Sequence, residues 1–157
     1  MASEHSYSIT ISNNRTENAA IKYLRNADSS IVIPDSKSRK TLLDGLGLPS
    51  RFIRTFDAVR VASPIAPQGN LVDVPLNQIQ LIELKTTQKY LPNLPFGFFF
   101  GATENEFELA RILKSKFMFC FISLHQDSPI HQYVSLEELE TLTKSKRIQY
   151  QIQLRRQ

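Results

Sequence analysis

The sequence predicts a mixed α/β domain in which helices flank a central sheet. Three observations lead there. Apolar residues recur at helical spacing behind capping signatures at Asn14-Arg15-Thr16-Glu17, Thr103-Glu104-Asn105-Glu106 and Ser135-Leu136-Glu137-Glu138. Phe117 to Leu124 is continuously apolar, as suits a central strand covered on both faces. Arg147 to Leu154 alternates strictly, with Ile148, Tyr150, Ile152 and Leu154 on one side and Gln149, Gln151 and Gln153 on the other, the pattern of a half-buried strand.

The first capping signature, followed by Ala19, Ala20, Tyr23 and Leu24, predicts a helix over 15–26. Residues 29–39 hold a short apolar piece, Ile31-Val32-Ile33, and then polar turn material. A short helix is expected over 41–48, stopped by Gly47 and Pro49. Residues 54–62 read as a strand in which Asp57 and Arg60 interrupt Phe56, Ala58 and Val61. Pro and Gly mark 63–70 as a loop. Ile79, Leu81, Ile82 and Leu84 give 79–87 the apolar character of a second strand. Pro92 and Pro95 break the chain before a third strand over 96–101. The second capping signature opens a helix carrying Phe107, Leu109, Ala110, Ile112 and Leu113, the apolar strand 117–124 follows, and the third signature opens a helix over 136–144. The alternating strand ends the chain. No repeat or low-complexity block divides the 157 residues, so one domain is expected.

Apolar residues make up 41% of the chain, an ordinary globular value, and ten Phe with no Trp point to a Phe-rich core. The formal charge of +4 and a pI near 9.3 suit a polyanionic partner without requiring one. The single cysteine, Cys120, lies in the apolar run and reads as a buried small hydrophobe, not a nucleophile. The first 14 residues lack the apolar core of a signal peptide, and no stretch approaches 18 apolar residues. A soluble cytoplasmic protein with no membrane partner is therefore expected. His5, His125 and His131 are scattered without ligand spacing, which argues against zinc. No Gly-rich phosphate loop is present, so nucleotide hydrolysis has no support.

The informative segment is Ile82-Glu83-Leu84-Lys85-Thr86-Thr87. On a strand, Glu83 and Lys85 share a face, with Leu84 opposite. Two charged groups on an apolar strand are costly unless they face water, a metal or each other. A carboxylate that holds a divalent cation, next to a lysine that orients or deprotonates water, suits phosphodiester hydrolysis. Mg²⁺ prefers oxygen ligands and keeps several waters, so a second carboxylate on a neighbouring strand completes such a site. Asp57, 26 residues before Glu83, supplies it. Asp73, ten residues before Glu83, is the alternative acid; Pro75 makes a central strand there unfavourable. Pro34-Asp35 is a weaker choice, 48 residues away in a segment that reads as a solvated turn. Glu83 with Lys85 also reads as an exposed cross-strand charge pair, Asp57 as a turn acid, and Glu17 as the reciprocal residue of its capping box.

Phe56-Asp57-Ala58-Val59 together with Glu83-Leu84-Lys85 resembles the PD-(D/E)XK nuclease superfamily. The similarity spans about residues 15–125, with Phe56 where the motif's proline stands. It implies a restriction-endonuclease-like fold, catalytic roles for Asp57, Glu83 and Lys85, and metal contacts at Asp57, Glu83 and Leu84. Many members place a Glu on the first helix near the metals, and Glu17 is the matching residue. The implied cofactor is Mg²⁺, with Mn²⁺ as a substitute. The implied partner is double-stranded DNA, cut by a homodimer or homotetramer. Arg51, Arg54 and Lys89 are candidate phosphate contacts. The C-terminal cations Lys146, Arg147 and Arg155 are further candidates, and Gln149, Gln151 and Gln153 could read adenine in a major groove, or form an ordinary polar face. A site-specific endonuclease of restriction or intron-homing type is the leading expectation. A structure-specific repair or recombination nuclease and a non-catalytic nucleic-acid-binding module are the alternatives.

Overall fold

A computed structural model describes residues 4–62 and 71–157, with the side chains of 4–14 and of Val72 outside that description. The elements are α1 (Glu4–Ala27), β1 (Ile31–Val32), α2 (Ser36–Gly45), β2 (Ala58–Val61), β3 (Ile79–Thr87), α3 (Glu104–Leu113), β4 (Phe117–Ser123), β5 (Ile130–Val134) and α4 (Leu136–Leu142), with short 3₁₀ turns between them. The five strands form one mixed sheet in the order β1-β2-β3-β4-β5. Only β3 and β4 pair in parallel, joined by the α3 crossover; the other pairs are antiparallel. The architecture is thus α/β, with helices on both faces of a mixed sheet.

The apolar pattern of β3 and β4 explains their central place. Phe117, Phe119 and Phe121 point to one face of β4, while Cys120 and Ile122 point to the other, and all five are fully buried. Each such side chain stabilises the fold by roughly 1.5–3 kcal/mol. The first face packs against Leu42 and Leu43 of α2, Leu109 and Ala110 of α3, and Leu139 of α4. The second face packs against Ala20 and Leu24 of α1. A polar cluster pins the C-terminal end of α1 to that face. Asp28 accepts hydrogen bonds from the Ser30 amide (2.9 Å) and the Tyr133 hydroxyl (2.6 Å), and pairs with Arg60 at 3.3 Å. Burial pushes the Asp28 carboxyl up, but these hydrogen bonds and the Arg60 charge hold it below the usual range.

Several expectations are corrected. The helix expected over 15–26 begins at Glu4, so Asn14–Glu17 lies inside it and forms no capping box. No Gly or Pro interrupts residues 4–27, so nothing stops the helix from extending. The second helix covers 36–45 instead of 41–48, because Asp35 caps it by accepting from the Ser38 amide at 2.7 Å. Asp35 is therefore solvated, as expected, but it is a helix cap and not a turn residue. The strand expected over 54–62 is shorter, at 58–61. Residues 96–101 form turns and irregular chain, not a strand. Their amides close local turns, with Phe96 bonding to Asn93 and Phe98 to Pro95, and Gly97 takes a φ of +80°. Phe98 and Phe100 still reach the core, edge-on to Phe121. The strand β5 has no clear signal in the sequence, and the loop read over 63–70 lies outside the described residues. The largest correction is at the C-terminus, where 145–157 forms no strand and is exposed throughout. The expected strand 79–87, the capping box at Thr103 and the Ser135 cap all stand.

Candidate active site

Asp57 sits one residue before β2, against the middle of β3. Three hydrogen bonds hold it there. Its amide donates to Ile82 O (2.8 Å), its carbonyl accepts from Arg39 Nη2 (3.1 Å), and its carboxylate Oδ2 accepts from the Leu84 amide (2.8 Å). Arg39 also bonds to the Phe56 carbonyl and lies 5.0 Å from the Phe56 ring. It thus anchors the chain just where β2 begins. Nothing in the sequence signals this role, because α2 and Asp57 meet only in the tertiary fold.

Asp57, Glu83, Leu84 and Thr86 line a cleft of about 290 Å³ whose remaining wall is Thr16 and Glu17 of α1. The structure therefore brings together Asp57, Glu83 and Glu17, as expected from the motif. Glu17 is exposed on the helix surface. Asp73 is exposed on the 3₁₀ turn Leu71–Asp73 and is not part of the cleft, so Asp57 is the acid that adjoins Glu83.

Glu83 and Lys85 are not a solvated charge pair, since their side chains are only 13% and 11% exposed. They share the face of β3 that meets Phe119 and Phe121 in register. Burial, then the neighbouring Asp57 charge, pushes the Glu83 carboxyl up to about 10, against the opposing pull of Lys85. The chain's own groups thus favour the protonated form of Glu83. Lys85 Nζ lies 3.2 Å from Glu83 Oε1 and also pairs with Glu106. Burial alone would lower the lysine's pKa, but the Glu83 and Glu106 contacts raise it above its ordinary value, so Lys85 is cationic. Glu106 does not stand out in the sequence as a site residue. The one available signal is its place as the acidic residue of the Thr103 capping box.

The other sequence-derived residues lie apart from this cleft. Arg51 is engaged by Glu108 in a two-pronged pair, by Asn105 at 2.9 Å, and by stacking 4.2 Å over Phe52. Arg54 and Lys89 are exposed, with the Lys89 carbonyl accepting from Ser123 Oγ at 2.6 Å. Lys146 lies 4.9 Å over the Phe107 ring. Arg147, Gln149, Gln151, Gln153 and Arg155 are exposed on irregular chain, so the glutamines do not form a strand face. Cys120 is buried, and burial pushes its thiol up to about 12, which leaves it inert as a nucleophile. Among the described residues, no three His, Cys, Asp or Glu side chains form a metal-binding group, and no helix is long and apolar enough to cross a membrane.

No family model, characterised protein or solved structure matches this chain. The nuclease resemblance is thus an expectation from the sequence motif.

Proposed function

We propose that this protein is a Mg²⁺-dependent endonuclease that hydrolyses phosphodiester bonds in double-stranded DNA, of the restriction or intron-homing type. One observation carries the reading. Two acids, Asp57 just before β2 and Glu83 on the adjacent β3, share a cleft beside a buried cationic lysine, and burial and the neighbouring charge push the Glu83 carboxyl up. Such a pair suits a divalent cation. The donors are hard oxygens, and two carboxylates with water suffice for Mg²⁺, with Mn²⁺ as a substitute. The residues present thus fit the ion.

Asp57 and Glu83 would hold the cation, and the Leu84 main-chain carbonyl offers a third oxygen. Once bound, the ion neutralises phosphate charge and polarises the scissile bond. The Asp57 carboxylate is kept in place by the Leu84 amide, so its free oxygen faces the cleft without reorganisation. Lys85, on the same face as Glu83, orients the attacking water and stabilises negative charge developing on the phosphate. Glu17, from α1, closes the cleft on the opposite wall and can accept from water. The basic excess suits a polyanion, and the exposed Arg54, Lys89 and C-terminal cations are the available phosphate contacts. One such centre cuts one strand per event, so cleavage of both strands calls for a homodimer or homotetramer.

The test is supercoiled plasmid incubated with Mg²⁺. Discrete linear products support a specific endonuclease, while a smear indicates cleavage without sequence preference. Unchanged plasmid across varied sequences and branched substrates overturns the reading in favour of a binding module. Asp57→Ala, Glu83→Ala and Lys85→Ala should each lower the rate at least ~100-fold, the scale of losing one preorganised electrostatic group. Circular dichroism should show all three folded.

A further inference from the structure

We propose that Glu106 is a positioning residue that tethers Lys85 to the N-terminus of α3, an inference that rests on the nuclease reading of the cleft. Both carboxylate oxygens of Glu106 are committed. Oε2 accepts from the Thr103 amide at 2.7 Å and from Thr103 Oγ1 at 2.6 Å. Oε1 pairs with Lys85 Nζ. The side chain is nearly buried, at 8% exposure, so little water reaches it. A capping box needs only one of these connections. The second turns an ordinary helix cap into a fixed anchor, because rotating the carboxylate toward any other partner breaks the cap.

The consequence lies in how charge is shared. Two acidic side chains, Glu83 and Glu106, contact the one lysine, and the Asp57 charge acts on Glu83. If Lys85 relied on Glu83 alone, it would lose its partner whenever Glu83 turned to a cation. Glu106, which also interacts with Glu83, gives the ammonium a second partner from α3, so Lys85 keeps a counter-charge when Glu83 turns to a cation. A lysine stem has four rotatable carbons and wanders when untethered. Here its far end is gripped by α3, and its root lies on β3.

The experiment compares Glu106→Gln with Thr103→Ala in the full chain. Gln at this position still satisfies a capping box, so Glu106→Gln removes the charge facing Lys85 and spares the cap. Thr103→Ala does the reverse. The readout is the ¹⁵N-edited spectrum of lysine ammonium groups, where a buried, ion-paired Lys85 should give a slowly exchanging signal that Lys85→Arg deletes. Glu106→Gln should abolish or shift that signal with helicity intact, and Thr103→Ala should lower Tm yet keep it. In cleavage assays, Glu106→Gln should reduce kcat by about 10–100-fold with KM for an oligonucleotide duplex within twofold, the mark of an interaction made in the transition state. An unchanged signal and unchanged kcat in Glu106→Gln overturn the tether while the nuclease stands. A wild-type protein that cuts nothing, but whose Lys85 signal still depends on Glu106, overturns the nuclease and leaves the tether. Should Glu106→Gln not fold, Lys85→Met, Glu106→Met and their double variant decide the matter. The double variant leaves no unpaired buried charge and should be at least ~5-fold better folded than additivity of the singles predicts; plain additivity overturns the tether.

Discussion

Strand β3 and the C-terminal segment 147–154 make an instructive pair. By pattern, the C-terminal segment is the better strand, since apolar and polar residues alternate along it without a break. β3 is irregular, with Gln80 and Glu83 interrupting its apolar residues up to Leu84, and with Lys85, Thr86 and Thr87 following. Yet β3 forms nine residues of central strand, and the C-terminal segment forms none. Ile148, Tyr150, Ile152 and Leu154 are 77–82% exposed. The difference is hydrogen-bonding company. β3 has β2 on one side over Ile79–Ile82 and β4 on the other over Leu81–Thr87, so a partner strand lies along each part of it. The C-terminal segment has no neighbouring strand among the described residues. Alternation selects which face a strand would bury, but a strand exists only where another supplies the ladder.

The sharpest way to break this comparison is to delete one apolar side chain from each segment. Leu81→Ala should cost about 2–5 kcal/mol in chemical denaturation, as for a fully buried aliphatic residue. Ile152→Ala should stay within about 0.5 kcal/mol of wild type. A comparable destabilisation by Ile152→Ala would mean that the C-terminal segment packs in solution and that the two regions do not differ in this way.

The second test contrasts Asp57 with Asp73, the alternative acid that the sequence offers as a partner for Glu83. Asp57→Ala should lower cleavage at least ~100-fold, and Asp73→Ala, exposed and outside the cleft, should stay within about twofold of wild type. An inactive Asp73→Ala beside an active Asp57→Ala would relocate the metal site.

A smaller effect follows from Glu83. Its carboxyl is raised from 4.5 to about 10. Between those values the native state holds a proton that the unfolded chain has released, so this group's contribution to stability declines as pH rises. In chelator-treated protein, Tm should fall from pH 6 to pH 9. Added Ca²⁺ or Mg²⁺ should displace that proton, so the metal-induced rise in Tm should grow with pH. Glu83→Gln should flatten both trends. A metal effect independent of pH would count against Glu83 as a ligand. Asp28 and Glu106, both held low, act oppositely, and their stabilisation is lost only in acid.

The smallest expected effect is on folding, when the chain is truncated after Ser145. Because the removed side chains are exposed, Tm should hardly move. DNA affinity should still fall. The log–log salt slope should flatten by about 0.9 for each phosphate that Lys146, Arg147, Arg155 or Arg156 neutralises in the full chain. An unaltered salt slope would show that these cations are spectators and that recognition lies elsewhere.

How much of the site was legible depended on how local each residue's role is. Glu83 and Lys85 share a face by strand geometry alone, so their spacing announced them. Asp57 was legible only by its distance to Glu83 along the chain, and Asp73 fitted nearly as well until the fold placed one acid in the cleft. Glu17 carries the pattern of a capping residue, because the helix start could not be located without knowing that residues 4–14 are helical too. Arg39 and Glu106 were not legible as site residues, since each acts across a packing interface, on Asp57 and Lys85 respectively.

By itself, the sequence determined the elements whose signals are short-range. These are the Phe-rich central strand, the apolar strand bearing Glu83 and Lys85, and the helices opened by Thr103 and Ser135, because side-chain periodicity and capping act within a few residues. Only the tertiary structure decided the order of the strands, the absence of the expected strands at 96–101 and 147–154, and the identity of the acid facing Glu83. It also decided the charge states in the cleft. A pKa near 10 for Glu83 is the sum of burial and of charges from residues 26 positions before it and 23 after it, and no local pattern encodes that sum.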